Sequence, residues 1–350
     1  IKEKTGVKIL LALKGYALWK SFDTVREYLD GCCASGLHEA LLAKEEFQKE
    51  VHTYSPAFKE EELEEIAKIS NHLVFNSAHQ LQEFANKAKE INPKISLGLR
   101  VNPETSVAPA EIYNPCGVYS RLGIKADDFK EEFLEQIDGL HFHALCEEDS
   151  NSLEKVLQAF EEKFGKYLNQ LRWVNFGGGH HITKKGYNID LLTILLQNFQ
   201  KKYPHLQIYL EPGEAVGWQT GSLIATVLDI VHNGVDIAIL DTSAEAHMPD
   251  TIIMPYRAEV RGAKEPNTLP YTYRLAGNTC LAGDIMGDYS FNSPLKRGDK
   301  IIFEDQMHYT MVKATTFNGI KLPSIAILKE NSTVEVLREF GYEDFKNRLS

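Results

Sequence analysis

The sequence is poor in cysteine, and its few cysteines follow no pattern of a metal or disulfide site. Five occur among 350 residues, an odd number, and no two have the C-x₂-C spacing of metal ligands. We therefore expect reduced thiols, no bound metal and a cytoplasmic location. Long hydrophobic runs are also lacking, because no apolar stretch is long enough to cross a bilayer.

Basic residues are outnumbered by acidic ones. The 38 Lys and Arg residues stand against 49 Asp and Glu residues, which gives a net charge of −11. This balance argues against nucleic acid or an anionic membrane as a partner, and it is compatible with a cationic substrate.

The chain starts at Ile1 rather than at a methionine, and residues 1–6 are typical of the end of a helix. We therefore expect a preceding segment to be missing.

Residues 1–220 alternate short apolar runs with longer amphipathic ones. Eight short runs are predicted to be strands: Ile9–Leu13, Gly31–Ala34, Val51–Tyr54, Leu73–Phe75, Ile95–Val101, Gly139–Phe142, Trp173–Phe176 and Leu206–Leu210. Helical patterns lie between most of them, namely Glu60–Ile69, Ala78–Ala88, Leu153–Leu168 and Ile189–Lys201. Eight such units predict an α/β fold of the (β/α)₈ TIM-like barrel type, with a long loop before the helix in residues 102–138.

The pattern changes after Gly221, and residues 221–350 are predicted to form an all-β domain. Turn signals such as Asn233-Gly234 separate apolar runs without intervening helices. The expected strands are Leu223–Val231, Ile237–Leu240, Thr251–Val260, Tyr271–Leu275, Lys300–Glu304, Tyr309–Thr316 and Ser324–Leu328. A helix at Thr333–Arg348 is expected to close the domain.

A single lysine, Lys14, ends the first apolar run and precedes Gly15. It should lie at the carboxyl end of a buried parallel strand, where α/β sheets and barrels place their ligands. Taken alone, a lysine in this position most often extends its ammonium group into water. The alternative is an amine in a dry pocket that forms a Schiff base.

Glycines and polar residues follow other predicted strands. The three bare amides of Gly177–Gly179 can donate to phosphate oxygens, although a flexible connection gives the same pattern. Glu211 ends an apolar run, where its carboxylate needs a cation or a protonated ring nitrogen, unless it forms a surface salt bridge. His143 is either a core histidine or an imidazole stacked on a planar ligand.

The predicted barrel brings these positions to one mouth. Ser35, Ser55 and Arg100 also end strands there, and so many polar strand ends are hard to explain by structure alone. An amine that can form an imine, a phosphate cradle and a carboxylate for a ring nitrogen together predict pyridoxal 5′-phosphate as the cofactor.

Recognisable motifs cover nearly the whole chain. They are LLALKG, CCASGLHEA, HTYSPAFK, VFNS, YNPCGVYSRLGI, GLHFHALCEE, VNFGGGHHITKKGY, EPGEAVGWQTG, ILDTSAEAHMPD, GNTCLAGD and HYTMVKATTFNG. With these motifs the sequence resembles the fold type III pyridoxal-phosphate enzymes, the group of alanine racemase, ornithine decarboxylase and diaminopimelate decarboxylase. Within that family it resembles a branch of decarboxylases that act in bacterial polyamine synthesis.

The resemblance implies roles for residues of the barrel. Lys14 would form the Schiff base with the cofactor, and Glu211 would pair with its pyridine nitrogen. His143 would stack on the face of the ring, and Arg100 would help to order that face.

Further roles follow from the same resemblance. Gly178, Gly179 and Tyr309 would hold the cofactor phosphate. Cys280 would protonate the substrate carbon after carbon dioxide leaves. In such enzymes the loop that carries this cysteine enters the active site of the partner subunit, so the active unit would be a homodimer.

Two positions depart from the pattern of the family. Glu214 stands where an arginine commonly contacts the phosphate, and Leu281 stands where an acid often follows the cysteine, the next acid being Asp284. A phosphate dianion would repel Glu214, which is therefore expected to turn toward a cationic substrate. We expect Glu214, Asp250 and Asp284 to receive the amines of a long carboxylated triamine, unless they are ordinary surface acids. Two such triamines, one methylene apart, fit equally well.

Two other functions fit part of the sequence. A catalytically dead relative would bind and regulate a partner enzyme, but Lys14, Glu211 and Cys280 are all present. A racemase would need a second acid–base group opposite Lys14, usually a tyrosine, and the corresponding loop offers Cys280 instead. A decarboxylase is therefore the prediction.

Overall fold

The computed structural model describes residues 1–105, 107–108 and 111–350. Residues 106, 109 and 110 lie outside the described part, within the segment predicted to be a long loop. The chain divides into two compact units, Ile1–Val216 and Gly217–Ser350, which we call the barrel unit and the sheet unit.

Eight parallel strands form the barrel unit and close in sequence order, with β1 pairing to both β2 and β8. They are β1 Lys8–Ala12, β2 Gly31–Ala34, β3 Glu50–Tyr54, β4 His72–Phe75, β5 Ser96–Arg100, β6 Gly139–His141, β7 Trp173–Asn175 and β8 Gln207–Leu210. Each of the eight apolar runs overlaps one strand, so the predicted barrel is confirmed.

Helices connect most of these strands. They are α1 Lys2–Thr5, α2 Phe22–Tyr28, α3 Leu37–Leu42, α4 Glu60–Ile69, α5 Ala78–Ile91, α6 Ser150–Phe164, α7 Ile189–Lys202 and α8 Glu214–Gly217. The side chains of Ser77 and Asn188 cap α5 and α7 by accepting hydrogen bonds from main-chain amides of the first turn. Throughout the described ranges, no helix combines the length and the apolar character needed to span a membrane.

The helix predicted within residues 102–138 is wrong for the described part of that segment. Only short 3₁₀ turns are found there, namely Glu111–Tyr113, Ala126–Asp128 and Glu131–Glu135. Pro103, Pro115 and Gly123, which has a left-handed φ of 85°, interrupt any regular helix.

Alternate residues of the barrel strands pack into two separate apolar layers. On β1, Ile9 packs outward into the large core under the helices. Its neighbour Leu10 packs inside the barrel with Val74, Trp173 and Tyr209. Side chains in the same phase as Leu10 therefore line the interior, and those near the strand ends reach the carboxyl mouth of the barrel.

The sheet unit contains a five-stranded sheet of order β12-β11-β10-β9-β13 and a separate ribbon of β14 and β15. The strands are β9 Leu223–Asn233, β10 Val235–Leu240, β11 Tyr271–Ala276, β12 Ile285–Phe291, β13 Lys300–Phe303, β14 Ile325–Leu328 and β15 Val334–Arg338. Short helices complete the unit, namely α9 Ala244–His247, α10 Asp250–Ile253, α11 Tyr309–Lys313 and α12 Tyr342–Lys346. The predicted all-β domain is confirmed as a β-rich unit, and its described part also contains these short helices.

Two predicted strands of the sheet unit are wrong. The segment Thr251–Val260 begins in α10, and its residues 255–259 belong to no regular element. The segment Tyr309–Thr316 begins as α11. One helical turn brings the Lys313 ammonium to 5.3 Å from the centre of the Tyr309 ring, a contact that an extended chain does not make.

The helix predicted at Thr333–Arg348 is wrong in its first half. Ser332 has a left-handed φ of 63° and turns the chain back, so that β15 pairs with β14. Only the last part forms α12, which begins after Gly341. The strand β12 was not predicted, because its sequence IMGDYSF mixes polar residues and a glycine into an apolar run.

Candidate active site

Lys14 lies at the carboxyl mouth of the barrel, two residues after β1 ends. The chain turns there, with Gly15 N donating to Ala12 O over 3.0 Å, while Ala12 N donates to Pro212 O over the same distance. A Cβ atom on Gly15 would lie 2.8 Å from Glu214 N. The lysine turn therefore packs against the turn that follows β8, and the Lys14 side chain is exposed at the mouth.

Glu211 follows β8 and is buried, with 7% of its surface exposed. Its Oε1 accepts a 2.6 Å hydrogen bond from Asn175 Nδ2, and its Oε2 lies 3.5 Å from His141 Nε2. Burial alone would raise the pKa of Glu211, but His141 and the donors on Cys33 and Asn175 outweigh it and hold the pKa at about 2. The carboxylate is therefore ionised in the interior of the mouth.

Asn175 and His141 are functional candidates that the sequence reasoning missed. Besides binding Glu211, Asn175 accepts through Oδ1 a 2.8 Å hydrogen bond from Gly177 N, so it joins the carboxylate to the glycine loop. Burial lowers the pKa of His141, and the neighbouring Glu211 carboxylate opposes this effect. The sequence signal that could have found both residues is a polar residue at the last position of an apolar strand, where alternation along the strand points the side chain into the barrel.

His143 contacts the glycine loop directly. Its Nδ1 accepts a 2.8 Å hydrogen bond from Gly178 N, so the ring proton of the neutral form is on Nε2. Burial, together with the charges of Lys14 and Arg100, holds the pKa of His143 well below its usual range. The imidazole is therefore neutral.

The glycine loop itself turns sharply. Gly177 and Gly179 have left-handed φ values of 71° and 82°. A side chain at Gly179 would also overlap the main chain of Leu145. Bare amides are thus a requirement of the backbone at this loop.

Arg100 is the last residue of β5 and is 4% exposed. Its guanidinium lies 4.7 Å from the centre of the Tyr54 ring, and its Nη2 donates to His143 O over 3.2 Å. Tyr54 in turn donates its hydroxyl to Asn76 Oδ1 over 2.7 Å. Arg100 is therefore fixed beside His143.

Glu214 begins α8 at the same mouth. Its Oε1 lies 3.9 Å from Nε2 of the buried His181. Glu147 joins them, and one polar atom from each of the three lies within 4.8 Å of the others. Because two carboxylates meet here, the group is suited to a cation.

Cys280 and Tyr309 belong to the sheet unit. Cys280 is exposed on the connection between β11 and β12, and its main-chain N donates to Asn318 Oδ1 over 2.6 Å. Tyr309 is the first residue of α11 and is half-buried. All five cysteines are free, as the sequence predicted.

Two acids predicted to bind substrate already have protein partners. Both oxygens of Asp250 accept hydrogen bonds from the Lys313 ammonium, at 2.7 and 2.8 Å. Asp284 is only 3% exposed, and both of its oxygens accept hydrogen bonds from within the sheet unit. This geometry disfavours a contact between Asp284 and a substrate amine, because groups of the protein already donate hydrogen bonds to both oxygens of its carboxylate.

A second polar cluster lies at the amino ends of β3 and β4. Glu50, His52 and His72 place possible metal-binding atoms within 4.8 Å of one another. However, the two imidazole rings are stacked 3.8 Å apart at 10°, and Lys8 binds the Glu50 carboxylate. An ion between parallel rings would lie outside both ring planes, where nitrogen lone pairs do not point. We therefore assign this cluster to the packing of the barrel.

Comparisons with known proteins identify the family. The model of the pyridoxal-dependent decarboxylases, described by their C-terminal sheet domain, matches residues 32–306. A carboxynorspermidine/carboxyspermidine decarboxylase of Campylobacter jejuni is 57% identical, and the match covers 99% of this chain and 93% of that protein. A carboxyaminopropylagmatine decarboxylase of Synechocystis is 46% identical, with 100% of this chain and 90% of that protein covered.

Solved structures agree with this result. The crystal structure of carboxynorspermidine decarboxylase from Campylobacter jejuni complexed with norspermidine has a TM-score of 0.92 at 55% identity, covering 99% of this chain and 94% of that one. Diaminopimelate decarboxylase from Helicobacter pylori has a TM-score of 0.80 at 19% identity, covering 99% and 92%, which shows a shared fold. The chain is therefore a pyridoxal-dependent decarboxylase and belongs to the family of the carboxynorspermidine/carboxyspermidine decarboxylases of polyamine synthesis.

Proposed function

We propose that this enzyme decarboxylates carboxynorspermidine and carboxyspermidine to norspermidine and spermidine, with pyridoxal 5′-phosphate as its cofactor. The observation that carries the proposal is the 57% identity, over 99% of the chain, to a relative named for both substrates. The alternatives of a racemase and of a catalytically dead relative have weaker support, because the similar proteins are named decarboxylases and Lys14, Glu211 and Cys280 are all present in this chain.

The residues at the barrel mouth fit the cofactor. Glu211 is buried and ionised, with a pKa of about 2, so it can accept a hydrogen bond from a protonated ring nitrogen. Lys14 offers an amine at the same mouth, and the loop at Gly177–Gly179 has only main-chain groups to present to a phosphate. When bound, the cofactor supplies an electron sink for the bond that decarboxylation breaks.

Each barrel residue then has one task. Lys14 holds the cofactor through its amine, and Glu211 keeps the ring nitrogen protonated. His143 stacks on the ring as a neutral imidazole, because burial lowers its pKa. Arg100 orders that face from its fixed position between the Tyr54 ring and the His143 carbonyl oxygen.

The phosphate is assigned to Gly178, Gly179 and Tyr309, as the family resemblance implies. One feature of the loop bears on this assignment. The Gly178 amide donates to His143 Nδ1 over 2.8 Å, so a phosphate contact of this amide requires a small rotation of the loop.

Cys280 is proposed to be the proton donor after carbon dioxide leaves. Its thiol is free and exposed, on a loop of the sheet unit. In the proposed homodimer this loop serves the barrel of the other subunit. A thiol there can give its proton to the carbon that has lost the carboxylate, and it regains a proton from water.

The substrate is a chain with a secondary and a primary ammonium group. Glu214 is the acid proposed to receive one of them, with Glu147 beside it within the 4.8 Å group around His181. A charge-assisted hydrogen bond of this kind contributes about 1.5–3 kcal/mol. Asp250 can serve the substrate only in competition with Lys313, which holds both of its oxygens.

Carboxyaminopropylagmatine is a second candidate substrate. The relative named for its decarboxylation is 46% identical over the whole chain. That substrate carries a planar guanidinium group, so it would need a bidentate carboxylate partner at its far end. The substrate assay should therefore include it.

The proposal is tested by measuring carbon dioxide release from purified enzyme supplied with pyridoxal 5′-phosphate. Five substrates are offered separately: carboxynorspermidine, carboxyspermidine, carboxyaminopropylagmatine, ornithine and diaminopimelate. We expect kcat/KM to be highest for one of the first two, with Lys14→Ala as the inactive control. Ornithine lacks the second ammonium group, and diaminopimelate brings a second carboxylate to an acidic site. Equal or faster turnover of either, or of carboxyaminopropylagmatine, would overturn the substrate assignment and leave the family assignment standing.

A further inference from the structure

Asp284 lies between two segments of the sheet unit and binds both. Its Oδ1 accepts hydrogen bonds from Ser243 Oγ at 3.0 Å and from Ala244 N at 2.6 Å. A weaker one comes from Glu245 N at 3.4 Å. This oxygen therefore holds the start of α9, the helix of the AEAHMPD motif.

The other oxygen of Asp284 holds the loop that carries Cys280. Its Oδ2 accepts from Thr279 N at 3.1 Å and from Thr279 Oγ1 at 2.6 Å. The main chains also meet, since Gly277 N donates to Asp284 O over 2.8 Å. A side chain at Gly277 would overlap the carboxylate, so the loop can close on Asp284 only with glycine there.

A second anchor acts on the cysteine itself. Cys280 N donates to Asn318 Oδ1 over 2.6 Å, and Asn318 has a left-handed φ of 55°. Cys280 is thus exposed, yet its backbone is fixed on one side by Thr279 and Asp284 and on the other by Asn318.

We propose that Asp284 is a positioning residue for Cys280, which fixes the thiol relative to α9 so that its proton reaches the substrate carbon. The proposal rests on the proposed role of Cys280 as proton donor, and it replaces the predicted contact between Asp284 and a substrate amine. The buried carboxylate of Asp284 accepts five hydrogen bonds, which come from Ser243, Ala244, Glu245 and Thr279. None of its lone pairs is therefore directed at solvent.

The step that depends on this position is the final protonation. The bond between the α-carbon and the carboxylate breaks, carbon dioxide leaves, and the electron pair stays behind. A new C–H bond forms with the Cys280 proton, and the thiolate regains a proton from water. If Cys280 were misplaced, its proton would not reach the substrate carbon, and a carbon of the cofactor would be protonated instead. Hydrolysis would then leave the amino group on the cofactor, as pyridoxamine phosphate, and release an aldehyde.

Asp284→Asn tests the proposal in the loaded enzyme. The amide can still accept from the start of α9, but its NH₂ group opposes Thr279 N. We expect kcat to fall by about tenfold or more, because a small displacement of a reacting group costs that much, while KM changes by less than about threefold. The fraction of turnovers that end in pyridoxamine phosphate, measured by chromatography of the released cofactor, should rise toward that of Cys280→Ala.

Thr279 provides a matched pair in case Asp284→Asn does not fold. Thr279→Val removes the hydroxyl at constant shape and should raise the pyridoxamine phosphate fraction, whereas Thr279→Ser keeps the hydroxyl and should restore the wild-type fraction. An increase in KM with an unchanged product ratio in Asp284→Asn would instead mean a substrate contact, and it would overturn the positioning role. A wild-type product ratio in both Asp284→Asn and Thr279→Val would also overturn the positioning role.

Different results would contradict the proposed function rather than the positioning role of Asp284. If the wild type releases no carbon dioxide from either carboxylated triamine, the substrate assignment is wrong. If the wild type is active but Cys280→Ala keeps the wild-type product ratio, Cys280 is not the donor, and the positioning role of Asp284 falls with it. A product ratio altered in Cys280→Ala but not in the Asp284 and Thr279 variants contradicts the positioning role alone.

Discussion

Replacing Gly178 with alanine should disturb the glycine loop and Glu211 together. The φ of Gly178 lies outside the left-handed region, so the effect of an added Cβ is steric rather than conformational. That Cβ would lie 2.5 Å from Glu211 O, a main-chain atom, and 3.5 Å from His143 Cε1. Since ordinary contacts of this kind begin near 3.4 Å, the loop or the strand end must move by about 1 Å.

The magnitude follows from this overlap. Forcing an extra methyl group into a packed site costs about 1–3 kcal/mol. In a unit of the size of Ile1–Val216, each kcal/mol lowers the Tm by about 2–4 °C. A shift of Glu211 also weakens its bond to a protonated ring nitrogen. Losing a charge-assisted hydrogen bond of about 1.5–3 kcal/mol corresponds to about 10- to 150-fold weaker cofactor binding.

Two measurements test this prediction. The Tm is measured by thermal unfolding of the cofactor-free protein, and the cofactor affinity is measured on a separate folded sample by absorbance titration with pyridoxal 5′-phosphate. Gly165→Ala is the matched control, because Gly165 has helical φ and ψ and its Cβ would meet Tyr203 Oη at an ordinary 3.4 Å. The control should keep the wild-type Tm and affinity. If Gly178→Ala also keeps both, the close approach of this loop to Glu211 is not a constraint on the site, and the reasoning is refuted.

Three further predictions concern Glu211, the proposed dimer and two buried histidines. Glu211→Gln should still bind the cofactor but lose most of its turnover, since a neutral amide does not keep the ring nitrogen protonated. Mixing inactive Lys14→Ala with inactive Cys280→Ala should restore part of the activity through hybrid dimers, and no recovery would exclude a shared site. Burial lowers the pKa of His180 and His247 to about 4, so on lowering the pH below 6.5 the unfolded chain takes up protons first. Each histidine should then cost up to about 2 kcal/mol of stability at pH 5, seen as a lower urea midpoint than at pH 7.5, and an unchanged midpoint would contradict this.

The barrel could be predicted from the sequence because its strands are buried on both faces. A run such as Ile9–Leu13 needs apolar residues at every position, so it stands out against the amphipathic helices around it. Lys14 and Glu211 stand out for the same reason, as charged residues directly after such runs. The sheet unit has mixed strands and one-turn helices, for which short patterns are ambiguous, and Tyr309–Thr316 was assigned wrongly on that account.

The direction of side chains could not be predicted in the same way. Asn175 and His141 lie inside predicted strands, and only closure of the barrel brings both to Glu211. Asp284 stands four residues after Cys280, which suggested a place near the substrate. Its side chain instead turns toward α9 and Thr279, because the loop folds back on itself at Gly277. Such a turn depends on the tertiary contacts of distant segments.

The central claim is that Lys14 holds the cofactor at the mouth shared with Glu211 and the glycine loop. It is tested most directly by borohydride reduction of the protein loaded with pyridoxal 5′-phosphate, followed by proteolysis and mass spectrometry. The account predicts a pyridoxyl group on the peptide that contains Lys14, and no label at that peptide in Lys14→Ala. A label found mainly on another lysine would contradict the claim.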